Sequence, residues 1–165
     1  MIILGIDPGY ALLGYGIINA DHGRLAPIDC GVIETKAGMA FPERLERLYE
    51  GTRALIEKFR PDHAAFEELF FYRNTTTAIQ VAAARGVSIL AVQQAGIPLY
   101  EYTPMEIKQS VTGDGHADKM QMQTMVKLLL GLSKVPKPDD AADALGIGIC
   151  HANYIGPAAE NYRIK

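Results

Sequence analysis

The sequence is poor in the features that mark secreted, membrane or zinc-binding proteins. Its two cysteines, Cys30 and Cys150, stand far apart and form no C-x-x-C pair, which leaves no basis for a disulfide framework. No apolar run is long enough to span a bilayer, and the first residues show no basic segment followed by an apolar stretch. A reduced, cytoplasmic setting is therefore expected. H-E-x-x-H is absent, and His22, His63, His116 and His151 are scattered along the chain, so zinc is not expected. Glycine and proline are spread rather than gathered into linkers, and there is neither a repeat nor a low-complexity tract. Basic charge is scarce too. The 16 Lys and Arg against 19 Asp and Glu give a net charge of −3, which on its own argues against a nucleic-acid partner, because phosphate binding rests on Lys and Arg.

What the 165 residues do carry is an alternation of strand and helix patterns, enough for one domain. Ile2 to Asp7, Gly14 to Ala20 and Arg24 to Thr35 read as three consecutive antiparallel strands. PERLERLYEGTRALIEKF follows as a helix, with Leu45, Leu48, Thr52, Leu55, Ile56 and Phe59 at helical spacing and a proline at its entry. HAAFEE reads as a short buried strand, NTTTAIQVAAARGVSILAVQQAG as a long helix ending on glycine, and IPLYEYT as a fifth strand. TPMEIKQSV, DKMQMQTMVKLLLG and PDDAADALGIGICHANYI are three further helices, the first two separated by the loop TGDGHA. The expected fold is α/β: a five-stranded mixed sheet, antiparallel strands first and parallel ones after, flanked by helices.

Ligands of such sheets gather at strand ends near the centre, and the acids are there. Asp7 closes the first strand within LGIDPG, Glu67 and Glu68 close the fourth within AAFEEL, and Asp140 and Asp143 share a face of the last helix. Singly, each has an ordinary reading: Asp7 as a turn former, Asp139 and Asp140 as helix caps, Asp143 as a solvated face, Glu67 or Glu68 as the polar end of a strand. Together, in apolar surroundings and with no Lys or Arg beside them, they are costly unless paired or bound to a metal. Clustered carboxylates suit a hard divalent cation with oxygen ligands, magnesium or manganese.

In order along the chain, GIDPGYALLGYGII, AAFEELFF, ARG, EIKQSVTGDGHADKMQMQTMV and DDAADALGIGICH resemble the RuvC Holliday-junction resolvases, from residue 2 to about 154. The resemblance implies an RNase H-like nuclease domain over residues 1–155; residues 156–165 match no motif and are expected as a flexible tail. It implies a crossover junction endodeoxyribonuclease of DNA recombination and repair that binds four-way junction DNA. Asp7, Glu67, Asp140 and Asp143 would hold two Mg²⁺ ions, with Mn²⁺ as a substitute, to cut two strands symmetrically. It further implies DNA contacts by Phe70, Lys108 and Lys119, a homodimer, and a branch-migration complex of RuvA and RuvB type as partner. Glu68 and Asp139 stand beside matched acids. Because side chains alternate along a strand, Glu67 is expected to face the site and Glu68 to turn away.

The charge objection then weakens. Without the four proposed ligands the net charge moves from −3 to +1, and residues 104–138 hold five lysines against three acids. A sugar-kinase or actin-like ATPase also starts with an acid followed by glycines, but it needs a second related lobe, and the chain shows no second copy of the loop. A catalytically dead junction binder would not need all four acids, and an RNase H-like enzyme acting on RNA is separated from the DNA reading by the resemblance alone.

Overall fold

The computed structural model describes residues 1–69 and 75–164. β1 (Ile2–Asp7) lies at the centre of a five-stranded sheet of order β3-β2-β1-β4-β5. β2 (Leu12–Asp21) pairs antiparallel with β1, and β3 (Arg24–Glu34) antiparallel with β2. β4 (His63–Glu67) runs parallel to β1, and β5 (Leu99–Tyr102) parallel to β4. This is the expected mixed sheet.

The period-two alternation of strands decides what each face carries. Leu4, Ile6, Leu13, Ile17, Ala64 and Phe66 pack on one side with Leu48 and Ile56 of α1 (Phe41–Phe59) and with Ala84 and Val92 of α2 (Thr75–Gln94). Ile3, Ile18, Ala65, Tyr100 and Tyr102 pack on the other. Their partners there are Ile107 of α3 (Pro104–Thr112), Met122 and Val126 of α4 (Lys119–Leu129), and Leu145 and Ile147 of α5 (Asp139–Tyr154). Counting in twos from Ile3 and from Ala65, Asp7 and Glu67 belong to the α5 face. Of the stripe expected on α1, Leu48, Thr52 and Ile56 are buried, while Leu45, Leu55 and Phe59 are half-buried.

Between Ala141 and His151, every residue of α5 except Asp143 is buried. The helix can lie this close because the strands under it carry glycine. A Cβ on Gly5 would come 2.2 Å from the Ala144 carbonyl oxygen, and one on Gly14 would come 2.2 Å from that of Asp140. The start of α5 is thereby laid against the end of β1.

The C-terminal segment departs from the flexible tail expected of it. Pro157–Tyr162 form a 3-10 turn in which Ala159 is buried. The Tyr162 ring packs 4.8 Å from both Tyr102 and Tyr154. Arg163 bridges to Tyr100, and the Ile164 N–H donates to the Leu99 carbonyl at 2.9 Å. The reason is physical: β5 is an edge strand, and its unpaired backbone groups accept a covering segment. Among the described residues no helix is long and apolar enough to cross a membrane.

Candidate active site

Ile6 lies opposite Phe66 in the parallel ladder, so Asp7 and Glu67 follow side by side at the strand ends. Gly14, the partner of Asp7 across β1 and β2, lies under the Asp140 backbone. Packing alone thus draws four acids from three elements to one end of the sheet. The electrostatics register it. The Asp7 carboxyl is pushed from 3.8 up to about 7, first by burial and then by Glu67, Asp143 and Asp140, with Lys119 pulling the other way. Burial also raises Glu67, with Asp143 adding to the effect and Lys108 opposing it. Asp143 is raised by burial against the pull of Lys119.

A cleft of about 220 Å³ opens beside these acids, lined among others by Glu67, Asp143, Lys108, Lys119, Ile107 and Met122. Both lysines sit on helices whose starts are fixed by reciprocal caps. Thr103 and Glu106 form a capping box at α3. At α4 the Gln121 N–H donates to the Asp118 carboxylate at 2.8 Å, and the Asp118 N–H donates back to the Gln121 side chain at 2.8 Å, which anchors the first helical residue, Lys119. Of the residues singled out in the sequence, Asp7, Glu67, Asp140, Asp143, Lys108 and Lys119 are thus brought together. Phe70 lies outside the described residues. Glu68 is absent from the charges that act on Asp7, and its N–H donates to the Tyr102 carbonyl at 2.9 Å.

Asp139 does something the sequence did not reveal. Its carboxylate accepts from Lys119 Nζ at 3.1 Å and from Lys137 Nζ at 2.5 Å, and these two ammonium groups hold it down at about 2. Lys119 Nζ lies a further 3.7 Å from Asp143. Asp139 is therefore an anchor for Lys119 at the rim of the cleft. Among the described residues, no three histidine, cysteine or acidic side chains are gathered closely enough, as they stand, to hold a metal ion. The cation beside Asp143 is Lys119.

Two of the scattered histidines also meet. His151 is buried between Tyr102, whose hydroxyl lies 2.7 Å from Nδ1, and His63, whose Nδ1 lies 2.9 Å from Nε2. Burial pushes His151 down to about 3, so it is neutral. This triplet ties β4, β5 and α5 together.

Residues 3–151 match the family model of crossover junction endodeoxyribonuclease RuvC. The chain is 57% identical over 165 residues to crossover junction endodeoxyribonuclease RuvC of Chloroflexus aurantiacus, with 100% of both chains covered. Among solved structures it is similar to Thermus thermophilus RuvC, with a TM-score of 0.88 and 36% identity over 99% of this chain and 98% of that one. It is also similar to T. thermophilus RuvC in complex with Holliday junction substrate, with a TM-score of 0.86 and 34% identity over 93% and 94% of the two chains.

Proposed function

As the chain belongs to the crossover junction endodeoxyribonuclease RuvC family, we propose that it is an RNase H-like, metal-dependent endonuclease that resolves four-way DNA junctions in recombination and repair. The observation that carries this reading is the gathering of Asp7, Glu67, Asp140 and Asp143 at one end of the sheet, where the other three charges all act on Asp7, next to a lysine-lined cleft. Such a donor set fits two Mg²⁺ ions, with Mn²⁺ as a substitute: every ligand is a carboxylate oxygen, and an ammonium already stands beside Asp143. When bound, ions of this kind activate a water on one side of a phosphodiester and stabilise the leaving oxygen on the other.

The chain's own residues supply the rest. Asp7 feels the other three acids, which makes it the residue on which a bound metal would relieve the most repulsion. Its seat on the central strand, between Gly14 and the β4 end, keeps its carboxyl group rigid. Lys108 and Lys119 attract the phosphate backbone to the cleft, and Ile107 and Met122 form its apolar lining. A four-way junction offers two equivalent strands, so the reading includes a homodimer, with RuvA and RuvB type branch-migration proteins as partners in the cytoplasm.

The test is cleavage of labelled four-way junction, linear duplex and RNA–DNA hybrid with and without Mg²⁺. Paired nicks in the junction alone, only with metal, are expected, and Asp7→Asn should bind the junction without cutting it. Cleavage in the presence of a chelator, or equal cleavage of hybrid and junction, would overturn the proposal.

A further inference from the structure

Arg44 stands in the first turn of α1, and its contacts reach the loop that leaves Asp7. Its guanidinium carbon lies 4.6 Å from the centroid of the Tyr10 ring, which in turn lies 5.8 Å from that of Phe41. Arg44 Nη1 donates to the Thr35 hydroxyl at 3.4 Å, and that hydroxyl donates to the Tyr10 carbonyl at 2.8 Å. The Thr35 N–H donates to the Ala11 carbonyl at 2.9 Å. The β1–β2 loop, the end of β3 and the start of α1 are thus tied into one rigid ledge.

Among the described residues no carboxylate lies within ion-pair distance of Arg44, and its buried Nε has no hydrogen-bond partner. The residue also sits at the end of a helix where the macrodipole disfavours a cation and favours an anion. A guanidinium is always charged and matches a phosphate through paired N–H donors. Phe41 is 41% exposed at its side, a large apolar ring left at the surface.

We propose that Arg44, Tyr10 and Phe41 form a second DNA contact, in which the guanidinium holds a backbone phosphate and the rings receive the adjoining sugar or an unstacked base. This rests on the junction-nuclease reading and extends it. Lys108 and Lys119 belong to helices on the α5 face of the sheet, whereas α1 covers the opposite face. A strand that touches both must cross the sheet end that carries Asp7, so the two contacts would hold the scissile phosphate from either side.

The experiment measures binding of the full chain to labelled four-way junction in magnesium-free buffer across a range of salt concentrations. Arg44→Gln should weaken binding about three- to ten-fold and make the slope of log Kd against log salt shallower by about one phosphate contact. Arg44→Lys should keep the slope. Phe41→Ala should weaken binding about three-fold or more with the slope unchanged, as expected where stacking is lost and charge is not. Wild-type affinity and slope in both Arg44→Gln and Phe41→Ala would overturn this contact while leaving the nuclease reading in place. No junction binding by the wild-type protein would overturn both.

Discussion

Asp7 is the residue in which burial and function conflict most directly. Its folded-state value of about 7 stands above the ordinary 3.8, so the folded chain holds that proton more tightly than the unfolded chain does. The resulting stabilisation is complete below the unfolded value and is lost as pH rises from about 4 to about 7. Mg²⁺ should therefore raise the melting temperature more at about pH 8 than at about pH 6, and metal-free Asp7→Asn should melt above the wild type at the higher pH. Calorimetric melts across that range provide the check; equal shifts at both values would remove Asp7 from the metal site. Glu67 and Glu68 give a second expectation. Glu67→Gln should cut cleavage at least about a hundred-fold, because it removes the charge of a proposed ligand rather than a supporting bond, and Glu68→Gln should remain active. The reverse outcome would shift the strand's role by one residue. At this scale the carboxylates were legible in the sequence because a charge inside an apolar run is conspicuous. Asp139 was not, since its meaning lies in Lys119 and Lys137, and only the packing of α4 beside α5 brings Lys119 to it.

Among the elements, α5 transmits the fold to the site. Its first two turns carry Asp140 and Asp143, and its height above β1 and β2 is set by glycines. Gly14→Ala would drive a Cβ to 2.2 Å from the Asp140 carbonyl oxygen. Overpacking of this kind costs about 1–3 kcal/mol, so a fall in melting temperature of roughly 2–12 °C is expected for a chain of this size. Cleavage at saturating Mg²⁺ should fall by more than the melt explains, because the backbone that must move carries a proposed ligand. A variant that melts lower yet cuts at the wild-type rate would show that Asp140 tolerates the shift. The five strands and most helix positions were readable from periodicity, since each element buries a face with its own period. The C-terminal turn was not. Its anchors are a backbone bridge to β5 and a ring stack of Tyr102, Tyr154 and Tyr162, and neither leaves a periodic trace in ten residues.

For the whole molecule the open question is what covers α2. Ile79 is 69% exposed and Leu90 48%, and with the exposed Ala82 and Gly86 they fall at helical spacing on one side of the helix. The helix has two sides: Ala84 and Val92 face the core, while this stripe faces outward. Among the described residues, nothing outside its own helix turn comes within 4 Å of a Cβ placed on Gly86, so another helix has room to approach. A second copy is the occupant that the substrate's symmetry asks for: two equivalent strands need two active sites related by a two-fold axis. Sedimentation at micromolar concentration should therefore show a dimer. Leu90→Glu should weaken it about ten-fold or more, as for a central apolar anchor replaced by a charge. In cleavage assays the same variant should nick single strands at the wild-type initial rate per bound protomer while losing the pairing of the two nicks. If the wild-type chain sediments only as a monomer, with and without junction, the paired cuts must arise from two independent encounters and the stripe on α2 serves another partner.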